Sequence, residues 1–200
     1  MDYWAKEIPN VTVPEGISGG WTVKRFEVTE ETAKFSRLRA AIGHSREYVD
    51  AGWYTKLCNP YGTIVMSDTL AEKDDHAHAV AIAYGQVLIT GLGLGVVTQA
   101  CLLKPDVKKV TVIELEQDVI NLVAPHYQSM FGDRIEIFCA NAYTWPIPKG
   151  SKYDTAWHDI WNHICGDNWE DMKRLKRHYQ RHVKWQGCWC EVETRRRVYN

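Results

Sequence analysis

Apolar positions follow two periods along the chain, and the change between them marks its elements. Val87-Leu88-Ile89-Thr90 and Val110-Thr111-Val112-Ile113 are short runs that suit buried strands. Between them stand Gly91, Gly93 and Gly95, then an apolar stretch compatible with a helix. Val119, Ile120, Leu122 and Val123 predict a second helix over 117–127. Ile135, Ile137 and Cys139 alternate with polar neighbours and predict a third strand, and residues 153–159 predict a fourth. Strand, glycine turn, helix, strand, helix and further strands describe an α/β chain with a parallel, Rossmann-like sheet.

The first third reads differently. Residues 1–27 carry Pro9, Pro14, Gly16, Gly19 and Gly20 and read as a loose arm ending in a short strand over 21–28. Thr29 is placed to cap a helix, with Glu30 and Glu31 in its first turn and Phe35, Leu38 and Ile42 at helical spacing. Asn59-Pro60-Tyr61-Gly62 lies between two strand-like runs and predicts a hairpin. The run over 77–84 predicts a helix leading into the first core strand. Towards the end, Asp167 and Glu170 have capping-box spacing before Met172, Leu175 and Tyr179, and 184–192 predicts one more strand. The expected organisation is an N-terminal arm, helix and β-hairpin over 1–84 and a Rossmann-like unit over 85–200.

Composition narrows the setting. A net charge of -1 over 200 residues gives no global pull toward nucleic acid or membrane. The basic positions over 173–184 and 195–197 read as a solvated face, so a nucleic-acid acceptor stays open without being favoured. No stretch approaches the ~20 apolar residues of a membrane span, and the first ten residues lack a signal-peptide pattern. None of the six cysteines forms C-x-x-C, and Cys101 and Cys139 sit in apolar patterns, as in a reducing compartment. These features predict a soluble, cytoplasmic protein. His76-x-His78 lacks a third ligand at an obvious spacing, so no metal is expected.

The candidate chemistry lies at the strand ends. Glycines let the backbone turn sharply and let a ligand approach the main chain. The following helix offers unpaired N–H groups. Glu114, at the tip of the second strand, can accept two hydrogen bonds from a ribose diol. The glycines run G-x-G-x-G, with Val96-Val97 where a dinucleotide-binding helix usually has its third glycine.

Four strand ends now fall in series: Gly91-Leu92-Gly93-Leu94-Gly95, Glu114, Asn141-Ala142 and Asp159. This series resembles the class I S-adenosylmethionine-dependent methyltransferases. Within them, residues 112–120 (VIELEQDVI), Ala140-Asn141-Ala142 and Tyr153-Asp154 through Asp159 look most like the spermidine synthase branch. The sequence WHDIW over 157–161 is also similar to short methyltransferase-like proteins of bacteriophages. The resemblance covers roughly 54–165. It implies S-adenosylmethionine as cofactor, with Gly91, Gly93 and Gly95 under its methionine and ribose, Glu114 on the ribose hydroxyls, and Asn141 and Ala142 at the adenine. It implies that Asp159 faces the sulfonium and the methyl acceptor. His158 is a second candidate base, although neighbours on a strand point to opposite faces. Ser67 and Asp68 stand where that branch closes its ligand pocket, and Trp157 and Trp161 are expected to wall it.

The chain departs from the branch after Asp159. Ile160-Trp161-Asn162-His163 replaces the small residues and second acid of the polyamine site, and Val65 stands where a ligand-contacting glutamine is expected. The implied activity is methyl transfer to an unidentified acceptor. Aminopropyl transfer, or a binding module that keeps the fold without catalysis, are the alternatives. A full methyltransferase sheet has seven strands, and this chain has room for about five. An open sheet edge is a liability, so the arm or a second copy of the chain is expected to cover it, and a homo-oligomer follows from the latter.

Overall fold

The structure is a computed structural model describing residues 3–43 and 48–199. Its centre is a parallel five-stranded sheet made of β5 (Gly85–Thr90), β6 (Val107–Glu114), β7 (Ile135–Cys139), β8 (Tyr153–His158) and β9 (Val183–Cys188), in the order β7-β6-β5-β8-β9. The chain enters at the centre, winds outward to β7, then crosses back to β8. The direction of winding therefore reverses between β5 and β8, which is where open α/β sheets bind ligands, outside the carboxyl ends of the strands. This is the expected Rossmann-like α/β fold, with a sheet shortened at its C-terminal end.

Both faces of the sheet are buried, which explains its nearly continuous apolar runs. Val87, Ile89, Val110, Val112 and Trp157 share one core cluster with α4 (Val96–Leu103) and α5 (Gln117–Phe131). Leu88, Ile113, Tyr153 and Ala156 share the other with Leu175 and Tyr179 of α6 (Asn168–Tyr179). At the amino end, Asp154 links three strands: it accepts the Gln86 N–H at 2.8 Å and the Lys184 ammonium at 2.7 Å. The last strand ends at Cys188, short of the expected 192, and α7 (Glu191–Tyr199) follows it.

The N-terminal part is more regular than expected. β1 (Gly16–Ser18), β2 (Trp21–Val28), β3 (Gly52–Cys58) and β4 (Ile64–Ser67) form an antiparallel sheet in chain order. The expected hairpin is β3–β4. Its turn is held by Asn59, whose side-chain oxygen accepts the N–H groups of Tyr61 and Thr63 at 3.0 Å each. Outside the small sheet, the described residues of the arm make their main contacts with helices, not with an edge strand of the large sheet. The arm's helix α1 (Tyr3–Glu7) packs on α3 (Leu70–Ile82), and β1 and β2 pack on α5. Ser18 donates to Asp118 at 2.6 Å and fixes that second contact.

Two local expectations change. Helix α2 (Glu30–Ile42) is capped by Thr29 as predicted, but it buries Ala33 and Ala40, not its large residues. Phe35, Leu38 and Ile42 are 65%, 57% and 72% exposed, so the spacing marked the outer face. The capping box at Asp167 is absent, because Asp167 itself has helical dihedrals and makes no side-chain cap bond. Asn168 does the anchoring, donating to the His163 carbonyl at 2.7 Å. No helix among the described residues is long and apolar enough to cross a membrane.

Candidate cofactor cavity at the strand ends

A cavity of about 640 Å³ opens over the carboxyl ends of β5, β6, β7 and β8. Gly91 and Gly93 form part of its floor, with Glu114, Asn141, Ala142, Asp159 and Trp161 around them. These residues are far apart in the sequence, and parallel pairing in register brings their strand tips together. The roof comes from the N-terminal sheet: Trp21, Asn59, Pro60, Tyr61 and Met66.

The floor is tight for a stated reason at each of two glycines. Gly91 has φ +91°, and a Cβ there would lie 1.9 Å from the Asp159 carbonyl oxygen. Gly93 has φ +49°, and a Cβ there would lie 2.6 Å from the Met66 sulfur. That sulfur accepts the Leu94 N–H at 3.3 Å, so Met66 rests directly on the loop. Gly95 has a different role from the one expected. It is buried outside the cavity lining, and the space it leaves is filled by the Tyr127 ring, whose hydroxyl donates to the Leu94 carbonyl at 2.8 Å.

Glu114 is buried and its carboxylate is fastened on both oxygens. One accepts the Leu92 N–H at 2.7 Å and the other the Glu116 N–H at 2.9 Å. Each carboxylate oxygen retains a further acceptor site. Asn141 is exposed and accepts the Tyr143 N–H at 2.9 Å with its amide oxygen, an Asx turn that fixes the loop after β7. Asp159 lies on the cavity wall, beside but not bonded to His76, whose Nε2 is 3.6 Å from its Oδ2. Burial, then Glu72, Asp75 and Glu114, push the Asp159 carboxyl up to about 8.

Other expected site residues lie elsewhere. His158 points to the far face of the sheet, fully buried: Nδ1 is 3.0 Å from the Thr90 hydroxyl, Nε2 is 3.2 Å from Gln186 Oε1, and the ring stacks on Tyr179. Burial holds its pKa down to about 4, and the strand alternation that separates it from the cavity excludes it as a base there. Trp157 is a core residue that donates to His76 at 3.2 Å and is not part of this cavity's lining. Asp68 is buried as a strut, accepting Thr55 N–H at 2.7 Å and Val11 N–H at 3.0 Å. Ser67 pairs with the Thr69 hydroxyl at 3.1 Å and is not part of the lining. Of the four residues proposed to contact substrate, Trp161 alone reaches the cavity wall.

Sequence reasoning missed Trp21, Tyr61, Met66, Tyr143 and Asp171, which also line the cavity. Tyr61 carried a readable signal, since a large aromatic at a hairpin tip, here 92% exposed, has no core to fill. The others depend on how the small sheet sits over the large one. Among the described residues no group of three or more His, Cys, Asp or Glu is placed to hold a metal ion.

No protein-family model and no curated protein sequence matches the chain. Solved structures similar to part of it include a dimethyladenosine transferase from Plasmodium falciparum, 23% identical over 55% of this chain and 36% of that one, with a TM-score of 0.42. An S-adenosylmethionine-dependent methyltransferase from Clostridium acetobutylicum is 18% identical over 56% of this chain and 43% of that one, at 0.39. A protein described as an RNA methyltransferase from Pyrococcus horikoshii is 13% identical over 62% of this chain and 63% of that one, at 0.47. The chain spans less than two thirds of the length of each.

Proposed function

We propose that the cavity binds S-adenosylmethionine and that the protein transfers its methyl group to an acceptor held beside Asp159. The observation that carries this reading is the charge of the lining. Its acidic residues are Glu114, Glu116, Asp159 and Asp171, and no Lys, Arg or His stands in it among the described residues. Such a wall repels the phosphates of a dinucleotide and attracts a sulfonium or an ammonium. The volume lies within the ~300–1,000 Å³ of ordinary ligand pockets, and the missing side chains at Gly91 and Gly93 let a ligand lie against the backbone.

In this reading Glu114 takes the ribose hydroxyls on the acceptor sites its two backbone bonds leave free. Asn141 and Ala142 border the adenine, and the apolar wall of Trp21 and Trp161 excludes water. Bound there, S-adenosylmethionine supplies an activated methyl carbon for in-line transfer, leaving S-adenosylhomocysteine. Asp159 orients the acceptor, and in its carboxylate form takes the proton that the nucleophile gives up. Holding both partners in line accounts for most of the rate, an effect of up to ~7–11 kcal/mol. Residues 85–200 supply the floor and residues 1–84 the roof.

The resemblance to the spermidine synthase branch and to phage methyltransferase-like proteins supports the same site. Aminopropyl transfer to a polyamine is the second reading, favoured by the acidic wall, and decarboxylated S-adenosylmethionine with putrescine tests it. For the first reading the test is calorimetry with S-adenosylhomocysteine. Binding is expected at micromolar ligand and at least tenfold weaker in Glu114→Ala. No binding at millimolar ligand would remove the proposal.

A further inference from the structure

Beneath the cavity lies a buried chain of side chains that the reading above does not use. His76, on α3, is fully buried. Its Nδ1 receives the indole N–H of Trp157 at 3.2 Å, with the two rings at 90°. An indole nitrogen can only donate, so His76 Nδ1 must be bare, and a neutral imidazole then carries its hydrogen on Nε2. That Nε2 lies 3.6 Å from Asp159 Oδ2 and has no hydrogen-bond partner among the described residues. Adding a second proton at Nδ1 would set two N–H donors against each other. Burial acts in the same direction and holds His76 down to about 4.

We propose that Trp157 and His76 are positioning residues for Asp159. Trp157 fixes His76 as the Nε2–H tautomer, and His76 in turn presents that N–H toward the Oδ2 edge of the Asp159 carboxyl, 3.6 Å away, an electrostatic contact longer than a hydrogen bond. The significance for the acceptor rests on Asp159 facing it, as proposed above. The tautomer lock does not depend on that.

The arrangement also decides which group keeps a proton. Glu72 and Asp75 of α3 and Glu114 of β6 act on Asp159, and the Cys188 and Cys190 thiols feel it from β9 and just beyond. These neighbours favour a protonated Asp159. A free imidazole there would accept that proton and form an ion pair. Locked by Trp157, His76 cannot, so the proton stays on the carboxyl and is released only to a change in the cavity itself.

The test uses the full chain without cofactor. Long-range ¹H–¹⁵N spectra of protein labelled in histidine are expected to show His76 as Nε2–H, with no titration between pH 5 and 9. A Nδ1–H signal, or a midpoint between 6 and 7, overturns the lock. In Trp157→Phe the restriction is lifted, and His76 is expected to titrate at least about one unit higher. The positioning step is read from the ¹³C carboxyl midpoint of Asp159. His76→Leu, which removes the donor, is expected to raise it by about half a unit or more, while His76→Gln, which keeps an N–H, holds it near the native value. An unmoved midpoint in His76→Leu overturns the positioning role. Failure to bind S-adenosylhomocysteine leaves all of these readouts in place, so the two ideas fail separately.

Discussion

The carboxylate of Glu114 accepts the backbone N–H of Leu92 at 2.7 Å, tying the tip of β6 to the middle of the glycine loop. Its other oxygen accepts the Glu116 N–H, so one side chain sets the shape of two cavity segments. Glu114→Gln keeps the size but leaves one oxygen for two N–H donors, with an amide NH₂ facing the other. An unmet buried donor costs about 1–3 kcal/mol. Urea unfolding is expected to show a loss of that order in Glu114→Gln, with an unchanged slope. A loss below 0.5 kcal/mol would mean that the loop holds its shape without the carboxylate.

The two floor glycines are expected to differ in what they tolerate. At Gly93 the obstacle to a methyl group is the flexible end of Met66, whereas at Gly91 it is the backbone carbonyl of Asp159. Both alanines carry the ~1–2 kcal/mol cost of left-handed backbone. Gly93→Ala is expected to lose about that much, and part of any excess should return in the double variant with Met66→Ala. Gly91→Ala cannot be relieved by a side-chain change and is expected to lose about twice as much or more. Denaturation of the single and double variants checks both points, and equal losses at the two glycines would contradict the geometry.

The large sheet was legible because burial on both faces leaves apolar runs that no turn imitates. Glu114 and Asp159 were legible because a parallel sheet sends its chemistry to strand tips. His158 shows the limit. Its neighbour Asp159 is just past the strand, free of alternation, while His158 still obeys it and faces Tyr179. The length of a strand to one residue decides which of the two reaches the cavity, and sequence patterns do not resolve that. Helix α2 misled for a related reason: its buried contacts are made by Ala33 and Ala40, and alanine carries too little hydrophobic signal to outweigh Phe35, Leu38 and Ile42.

Stability is expected to fall as pH rises above neutrality. Burial raises the Glu72 carboxyl to about 7 and Asp159 to about 8, so the folded chain holds these protons more tightly than the unfolded one. Their contribution is complete below the ordinary carboxylate range and is lost as pH climbs through those values. His76 and His158 are held down to about 4, so their contribution is present above the ordinary value of 6.5 and is lost on acidification through 4. Between pH 4 and 6.5 the two pairs oppose each other. Above 6.5 the histidine contribution is completed within about one pH unit while the carboxyls go on losing theirs, and Asp159 accounts for roughly 1–2 kcal/mol of loss between pH 6.5 and 8. Thermal melts from pH 6.5 to 8.5 should show a falling Tm, and Asp159→Asn should remove most of the fall. A variant that keeps the native slope would place the titrating group elsewhere.

The same carboxyl makes the charge of the ligand measurable. At pH 7.5 a group with its midpoint near 8 is largely protonated. A cation entering a cavity whose charged lining is wholly acidic favours the carboxylate and expels that proton. S-adenosylmethionine carries a sulfonium, whereas the sulfur of S-adenosylhomocysteine is neutral, and the two are otherwise nearly the same shape. Calorimetry in phosphate and in Tris, whose ionisation enthalpies differ widely, counts the protons released on binding. Roughly half to three quarters of a proton is expected for S-adenosylmethionine. The value should be close to zero for S-adenosylhomocysteine, and Asp159→Asn should bring the first ligand down to the second. Equal release by both ligands would mean that the sulfonium does not sit within reach of Asp159. Release that survives in Asp159→Asn would assign the proton to another raised carboxyl, with Glu72, on α3 outside the cavity lining, the next to substitute, since its midpoint lies near 7.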